Sequence, residues 1–461
     1  MKTRTRFYGC LLLLIFLALV SVPAARATGS PLAGTWRVIL FSTPSSVTMF
    51  KDGNGRVTGI NQGATFEYGS GRVTVDSSGN FTGTFSSNGE TPENLTGTMA
   101  FTSHGKVTVS VTGDTEAPIA ASINASLDFM ISHRSLGDVH DAMFFLKEPA
   151  AVNANDLEGG WLGFGFETPS EIKSLPSNQP ATSVTGLDKF SAFPGNLTVG
   201  SSGTFAGFLD GAFTGSYSSY SNGELSLNIN ADEEGPFTET FSINASKTVM
   251  MQIKHHADNK SNELLVFVRQ PSATPDEGDM VGHWKLGFLG APGVMTPIMN
   301  SGFVVDLNGK NEFEIAAEKM TFGQDGAFTA QFVDGPETGT ITSVSTAGSI
   351  DLFFLQEFET ATVQLSSSLD IFFALSDEST HQEMIFGVKS PPPNGTPEES
   401  GLIFFYDGSQ FQIYWAAQAD RLLQESTDLV TWTNVPDTQG TGTYTPANGG
   451  NKYYRIATSP Q

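Results

Sequence analysis

The side chains best equipped for chemistry in this sequence are its seven histidines, because imidazole titrates near neutral pH and serves both as a base and as a metal ligand. They are His104, His133, His140, His255, His256, His283 and His381. His255 and His256 are adjacent, and neighbours on a strand face opposite ways, so the pair reads as a loop or strand end and not as a metal site. Asp52-Gly53-Asn54-Gly55 opens like a calcium loop, but Arg56 stands where the next oxygen ligand belongs and no Glu closes the segment. A hairpin turn accounts for the same letters. Asp276-Glu277-Gly278-Asp279 would bind calcium only weakly and with a neighbour's help, and a solvated acidic linker is the plainer reading. Calcium is therefore the single cofactor left open, as a weak possibility. Nucleophile elbows, phosphate loops and the His-Glu-x-x-His zinc motif do not occur. A glycosidase carboxylate pair cannot be chosen from 48 acids without geometry. No catalytic, cofactor-binding or metal residue is assigned.

The elements that would position any such group are repeated. Leu32-Ala33-Gly34-Thr35-Trp36 recurs as Leu157-Glu158-Gly159-Gly160-Trp161 and as Met280-Val281-Gly282-His283-Trp284, with the tryptophans 125 and 123 residues apart. Gly79, Gly203 and Gly326 each precede, by two residues, a phenylalanine: Phe81, Phe205 and Phe328. Ser122-Ile123-Asn124-Ala125-Ser126 returns letter for letter at 242–246 and more loosely at 364–368. Each unit closes on a strand-like run ending in Pro149, Pro271 or Pro391. Ordered landmarks at this period establish three copies of one unit. The period is domain-sized, well above that of solenoid units or propeller blades. No histidine recurs in register. The N-x-[ST] sequons, Asn124 and Asn244 among them, are given no role.

Within a copy the signals are β throughout. Val107, Val109 and Val111 alternate with Thr108 and Ser110, and Leu225, Leu227 and Ile229 with Ser226 and Asn228, which is the period of a half-buried strand. The segments ending in Gly79, Gly203 and Gly326 read as hairpin turns whose glycine takes positive φ, where a Cβ would clash. Phe81, Phe205 and Phe328 then start the returning strand as buried side chains. Trp36, Trp161 and Trp284 could stack on sugars, but their in-register strand position argues for core packing. Residues 254–264 are the least clear stretch. The fold expected is all-β: three tandem antiparallel barrels or sandwiches plus a small C-terminal β module.

The Gly-x-Trp triplets Gly34-Thr35-Trp36, Gly159-Gly160-Trp161 and Gly282-His283-Trp284 resemble the first strand of calycin barrels, the lipocalin- and avidin-like proteins. That resemblance implies a Trp plugging one barrel end and, as one reading, a small apolar ligand in each lumen. Residues 401–461 do not align with the repeats. Their Leu423-Gln424, Ser426-Thr427-Asp428-Leu429, Trp432 and Tyr453-Tyr454-Arg455 resemble a short module at the C-termini of secreted proteins of planctomycete- and verrucomicrobium-type bacteria. It implies a reduced fibronectin- or immunoglobulin-like sandwich with Trp415 and Trp432 in its core, and a place outside the cytoplasm.

The address agrees. Lys2, Arg4 and Arg6 precede the apolar stretch Leu11 to Val20, and Ala25-Arg26-Ala27 supplies a peptidase site, so a signal peptide cut before Thr28 is expected. Ten apolar residues are too few to span a bilayer. The cut removes Cys10, the one cysteine, and lowers the formal charge from -24 by four basic residues to -28. Disulfides and thiolate sites are then impossible, and nucleic acid or anionic membrane is repelled. The expected order is a signal peptide at 1–27, β repeats at 28–150, 151–271 and 280–391, a Pro-rich linker at 392–400 and the module at 401–461. We expect an exported, secreted or cell-surface bacterial protein of binding, adhesion or surface-structural type and no enzyme, its partner an extracellular polymer or surface component. The alternatives are a calycin-like carrier and, third, a polysaccharide-degrading hydrolase. A lumen of a few hundred Å³ distinguishes a carrier from a packed scaffold.

Overall fold

The computed structural model describes residues 30–391 except 62–65, 102–104, 210, 232–234, 259, 324–325, 333–334, 357 and 378–380, and beyond them 403–406, 411–414, 421–427, 431–439, 443–444, 446 and 452–458. The expected signal peptide with Cys10, the linker at 392–400, His104 and Trp415 lie outside the described residues.

Each repeat closes into an eight-stranded antiparallel barrel. In the first, the strand Gly34–Pro44 pairs on one side with Glu67–Val75 and on the other with the last strand, Val139–Lys147, which seals the cylinder. The second barrel runs from Gly159–Pro169 to Ser261–Arg269 and the third from Gly282–Pro292 to His381–Lys389. Closure removes every sheet edge, which is how an all-β unit avoids an open hydrogen-bonding rim. Residues 254–264 are ordinary hairpin, with Val249–His256 returning as Ser261–Arg269.

One end of each barrel is shut by the repeated tryptophan. Trp36, Trp161 and Trp284 are 0, 1 and 0% exposed. Each indole N–H donates to the carbonyl four residues earlier, at Leu32, Leu157 and Met280, at 2.8–2.9 Å. A cation from the last strand covers each ring: Lys147 at 5.7 Å, Arg269 at 5.9 Å and Lys389 at 6.0 Å from the ring centre. Gly79, Gly203 and Gly326 have φ of +87°, +78° and +74° in the turns at this same end. A Cβ on Gly79 would stand 2.7 Å from the Met99 carbonyl. Phe81, Phe205 and Phe328 are buried, each laid across a bare glycine of the next strand: Gly97, Gly215 and Gly339.

The other end of each first strand leads into an inserted hairpin: Met49–Lys51 with Val57–Ile60, Lys173–Leu175 with Ser183–Thr185, and Thr296–Asn300 with Phe303–Asn308. The three hairpins meet through backbone bonds, Ala181 N–H to Val57 O at 2.7 Å, Val304 N–H to Ala181 O at 2.8 Å and Val47 N–H to Lys310 O at 2.8 Å.

Beneath that cap lies a core shared by all three barrels. On the first and last strands of each barrel, side chains of one parity fill the lumen and those of the other parity face the neighbouring barrels. Phe144 and Leu146, Val266 and Val268, and Phe386 and Val388 belong to the shared cluster. Phe66, Phe190 and Phe313 form a closed aromatic triangle with centroids 5.8–5.9 Å apart. At the tryptophan end the loops Asn124-Ala125-Ser126, Asn244-Ala245-Ser246 and Ser366-Ser367-Ser368 close the ring cyclically. The Ser126 N–H donates to Asp370 at 2.8 Å, the Ser246 N–H to Asp128 at 2.7 Å, and the Ser368 hydroxyl to Thr248 at 3.3 Å. These buried polar groups are satisfied, as buried polar groups must be. Burial nevertheless pushes the Asp370 carboxyl up, the hydrogen bonds from Ser368 and Ser126 opposing it.

The connections between barrels are clamped. Tyr217 and Tyr220 donate to the Val152 and Pro149 carbonyls at 2.8 and 2.9 Å, and burial pushes the Tyr220 phenol up to about 12. Pro271 packs on Gly348 of barrel 3, and Pro391 on Gly105 of barrel 1. The end of barrel 3 thus sits on barrel 1 at the turn that receives a connection in the other two barrels, completing the ring.

The C-terminal region forms two small three-stranded sheets, one of Ile403–Tyr406, Phe411–Tyr414 and Thr443–Tyr444, the other of Arg421–Ser426, Thr433–Asn434 and Tyr453–Thr458. Its core is Ile413, Leu423 and Val435. Trp432, expected in that core, is instead half-buried beneath the Arg455 guanidinium, 4.3 Å from its ring, because three aliphatic side chains flanked by Tyr444 and Tyr454 already fill so small a space.

Candidate functional site

The three lumens share a floor and differ above it. In barrel 3 a chain of aromatic rings, edge-to-face or tilted, runs from the tryptophan to the mouth: Trp284 against Phe322, Phe322 against Phe328, Phe328 against Phe354, Phe354 against Phe332, and Phe332 against Phe288, at 5.1–6.4 Å. In barrel 1 the mouth is tied across by Arg134, which pairs with Asp141 at 3.0 Å and Glu116 at 2.9 Å, while the Ser42 hydroxyl donates to Asp141 at 2.7 Å.

Barrel 2 is hollow. A half-enclosed cavity of about 420 Å³ occupies it above Leu197, Phe205, Leu227, Phe241 and Phe267. The strand bearing Trp161 offers little side chain to this interior: Gly163 and Gly165 stand where barrel 1 has Val38 and Leu40 and barrel 3 has Leu286 and Phe288. Phe267 and Phe193 lie across those glycines, where a Cβ would approach within 2.9 and 2.2 Å of their rings.

The upper lumen divides into two walls. One is apolar, with Leu209, Ala212, Phe213, Ile229 and Ala231. The other carries Glu239, Gln252, Lys254 and Glu263, projecting inward from the three strands Gly235–Ile243, Val249–His256 and Ser261–Arg269. Period-2 alternation sends these residues inward and their neighbours Ile253, Leu264 and Val266 into the shared core. Gln252 and Lys254 both donate to the Glu239 carboxylate. Lys254 faces Glu263 across the strand pair, and Glu263 binds the His256 imidazole at 2.7 Å. That hydrogen bond raises the His256 pKa above its ordinary value, with its burial opposing. The result is a ladder of alternating charge beside an apolar wall. It can hold an apolar body and give hydrogen bonds to a polar group at one side of it.

The histidines part company as their strand positions require. His256 faces the lumen, whereas His255 binds Asn262 at 2.9 Å and stacks on Tyr68 at 5.2 Å between barrels. His133 and His140 are held below the usual imidazole range by burial, His283 binds Thr321 at 2.9 Å, and His381 lies on the last strand of barrel 3. Asp52 closes a turn, accepting from the N–H groups of Asn54 and Arg56 at 2.8 and 2.9 Å. Asp276 and Asp279 cap one helical turn reciprocally. Among the described residues no group of three His, Cys, Asp or Glu converges to hold a metal ion. Trp36, Trp161 and Trp284, Gly79, Gly203 and Gly326, and Phe81, Phe205 and Phe328 gather at the closed barrel ends and their floors, away from the ladder.

Sequence reasoning passed over the ladder because its residues are spread from 239 to 263, and only its cross-strand pair, Lys254 with Glu263, has a counterpart elsewhere, Arg134 with Asp141 in barrel 1. It also passed over Lys147, Arg269 and Lys389, although each stands two residues before a closing proline.

Likenesses among known proteins are distant. No protein-family model matches the chain, and no curated protein sequence does. Among solved structures, a mutant of the vaccine antigen transferrin binding protein B from Haemophilus parasuis is similar at 9% identity and a TM-score of 0.25, covering 77% of this chain and 75% of that one. Transferrin binding protein B from Neisseria meningitidis is similar at 8% and 0.22, over 78% and 76%. A protein of unknown function from the DUF3598 family of Nostoc punctiforme is similar at 10% and 0.17, over 78% and 96%. TM-scores this low carry no argument about this chain. Among the described residues no helix is long and apolar enough to cross a membrane.

Proposed function

We propose that the chain is an exported, non-enzymatic binding protein in which barrel 2 holds one small amphiphile and barrels 1 and 3 serve as its rigid support. The observation that supports this most is the cavity of about 420 Å³ with one apolar and one hydrogen-bonding wall. Pockets of this size enclose a drug-sized molecule. Its polar wall supports binding over hydrolysis: Glu239 and Glu263 are each engaged by Lys254, Gln252 or His256, so neither stands free as an acid or base. The ring of barrels supports the second role, since each last strand is sealed on both faces and the connections are clamped.

The test is native mass spectrometry of the secreted chain purified without detergent, followed by solvent extraction. One amphiphile of a few hundred daltons per chain is expected. A chain that carries nothing, and takes up no apolar probe after extraction, contradicts the reading.

A further inference from the structure

The hairpin cap shows a second regularity. Phe50, Leu175 and Ile298 each lie 14 residues after their tryptophan, at the same place in the three hairpins. They are large apolar side chains left 58, 40 and 40% exposed. Met299 on the third hairpin and Val294 just before it are 47 and 56% exposed. Because the hairpins bond to one another around one centre, the three equivalent residues belong to one connected cap and not to independent loops. Phe208 and Leu355, also exposed, lie at strand ends pointing the same way on barrels 2 and 3. The mouth of the barrel 2 lumen opens at this end, because strands reach it from the sealed tryptophan end.

Charge separates the hairpin cap from the rest of the chain. Segments 45–66, 170–190 and 293–313 hold Lys51, Arg56, Lys173, Lys189 and Lys310 against Asp52, Glu171, Asp188, Asp306 and Glu312, a formal charge of zero on a chain of -24. Four of these cations pair within the cap: Lys51 and Lys310 with Asp306, Lys173 with Glu171, and Lys189 with Asp188. Arg56 lies over the Phe303 ring at 4.3 Å.

We propose that this cap docks on a lipid surface of zwitterionic headgroups, with the barrel 2 mouth turned toward it. Apolar tips separated by polar backbone suit a fluid interface, where each side chain inserts independently, better than a rigid complementary protein. Charge selects the lipid class: the hairpin cap is neutral and the chain around it acidic, so anionic headgroups repel this end of the molecule and zwitterionic ones do not. Docking gives the lumen access to an amphiphile that is scarcely soluble in water. That purpose rests on the barrel 2 reading, but the contact itself does not.

The experiment is flotation of the mature full-length chain with phosphatidylcholine vesicles. The wild type is expected to float with the vesicles, and the triple variant Phe50→Ser, Leu175→Ser, Ile298→Ser to lose at least tenfold in partitioning while melting normally. A fifth of phosphatidylglycerol is expected to weaken binding at low salt. Phe50→Trp provides an independent readout: its added emission is expected to be quenched by brominated lipid. The variant Ala231→Phe, which narrows the lumen, is expected to float as the wild type does. If Ala231→Phe floats and the wild type takes up no apolar probe, the lumen reading fails and docking stands. A wild type that stays with the buffer, a triple variant that floats undiminished, or concentration-dependent dimers abolished by the triple variant in place of vesicle binding would overturn docking.

Discussion

Barrels 2 and 3 share the tryptophan, glycine and phenylalanine landmarks and end as opposites, one hollow and one filled with rings. Both seal one end with a buried tryptophan, a bonded indole N–H and a covering cation. Above that floor barrel 3 continues with Leu286, Phe288, Phe332 and Phe354, where barrel 2 has Gly163 and Gly165 on the first strand and a polar wall on the last three. The closed end is thus what the repeat preserves, and the mouth is where one copy has been free to differ. A second contrast is between what the barrels enclose and what they share. The shared core between them is richer in large side chains than any one lumen, so the ring, and not the single barrel, is the unit that buries the phenylalanines.

That contrast can be broken at its strongest point first. Phe66→Ala, in the aromatic triangle, should cost about 3–5 kcal/mol, as large-to-small core changes do, and lower one cooperative transition common to all three barrels in calorimetry. Separate transitions for each barrel would show that the shared core does not couple them. Phe354→Ala removes a ring from the middle of the barrel 3 series and should cost about 3 kcal/mol by urea titration. It should also create a second site for a small apolar probe, since apolar cavities of this kind stay dry and take apolar guests.

Smaller effects sharpen the comparison between packed and hollow interiors. Ala121→Phe in barrel 1 should destabilise by about 1–3 kcal/mol through overpacking, whereas Ala231→Phe in barrel 2 should change stability by less than about 1 kcal/mol. Equal costs in urea titrations would mean that barrel 2 is no emptier than barrel 1.

The smallest effect is a pH dependence. Glu263 raises the folded-state pKa of His256, so the pair's stabilisation is complete below the ordinary imidazole value and is lost as pH rises through the raised one. The melting temperature of the wild type should therefore fall relative to that of His256→Gln between pH 6 and pH 8. An unchanged difference would mean that the imidazole gains nothing from Glu263.

Much of this architecture was legible in the residues. The spacing of Trp36, Trp161 and Trp284 gave the copy number, and period-2 runs gave strands, because a half-buried strand must alternate. What alternation conceals is a strand buried on both faces. Ala142-Met143-Phe144-Phe145-Leu146 reads only as apolar, and nothing local says that Met143 and Phe145 enter a lumen while Phe144 meets another barrel. Asn124 and Asn244, passed over as accidental sequons, hold the cyclic polar junction. Their letter-for-letter repetition was the visible signal, but its meaning depends on contacts more than a hundred residues away in sequence. The lumen was illegible for a related reason: a cavity is made by what several distant strands lack, and no single strand records it.

The central claim is that barrel 2 encloses a cavity able to take one guest, and a count of bound probe tests it most directly. An apolar fluorescent amine such as N-phenyl-1-naphthylamine, titrated into the extracted chain, should saturate at one molecule per chain, and Ala231→Phe should weaken that binding at least tenfold without changing the fold. Saturation at three per chain, at none, or at one whose affinity Ala231→Phe leaves unchanged would contradict it.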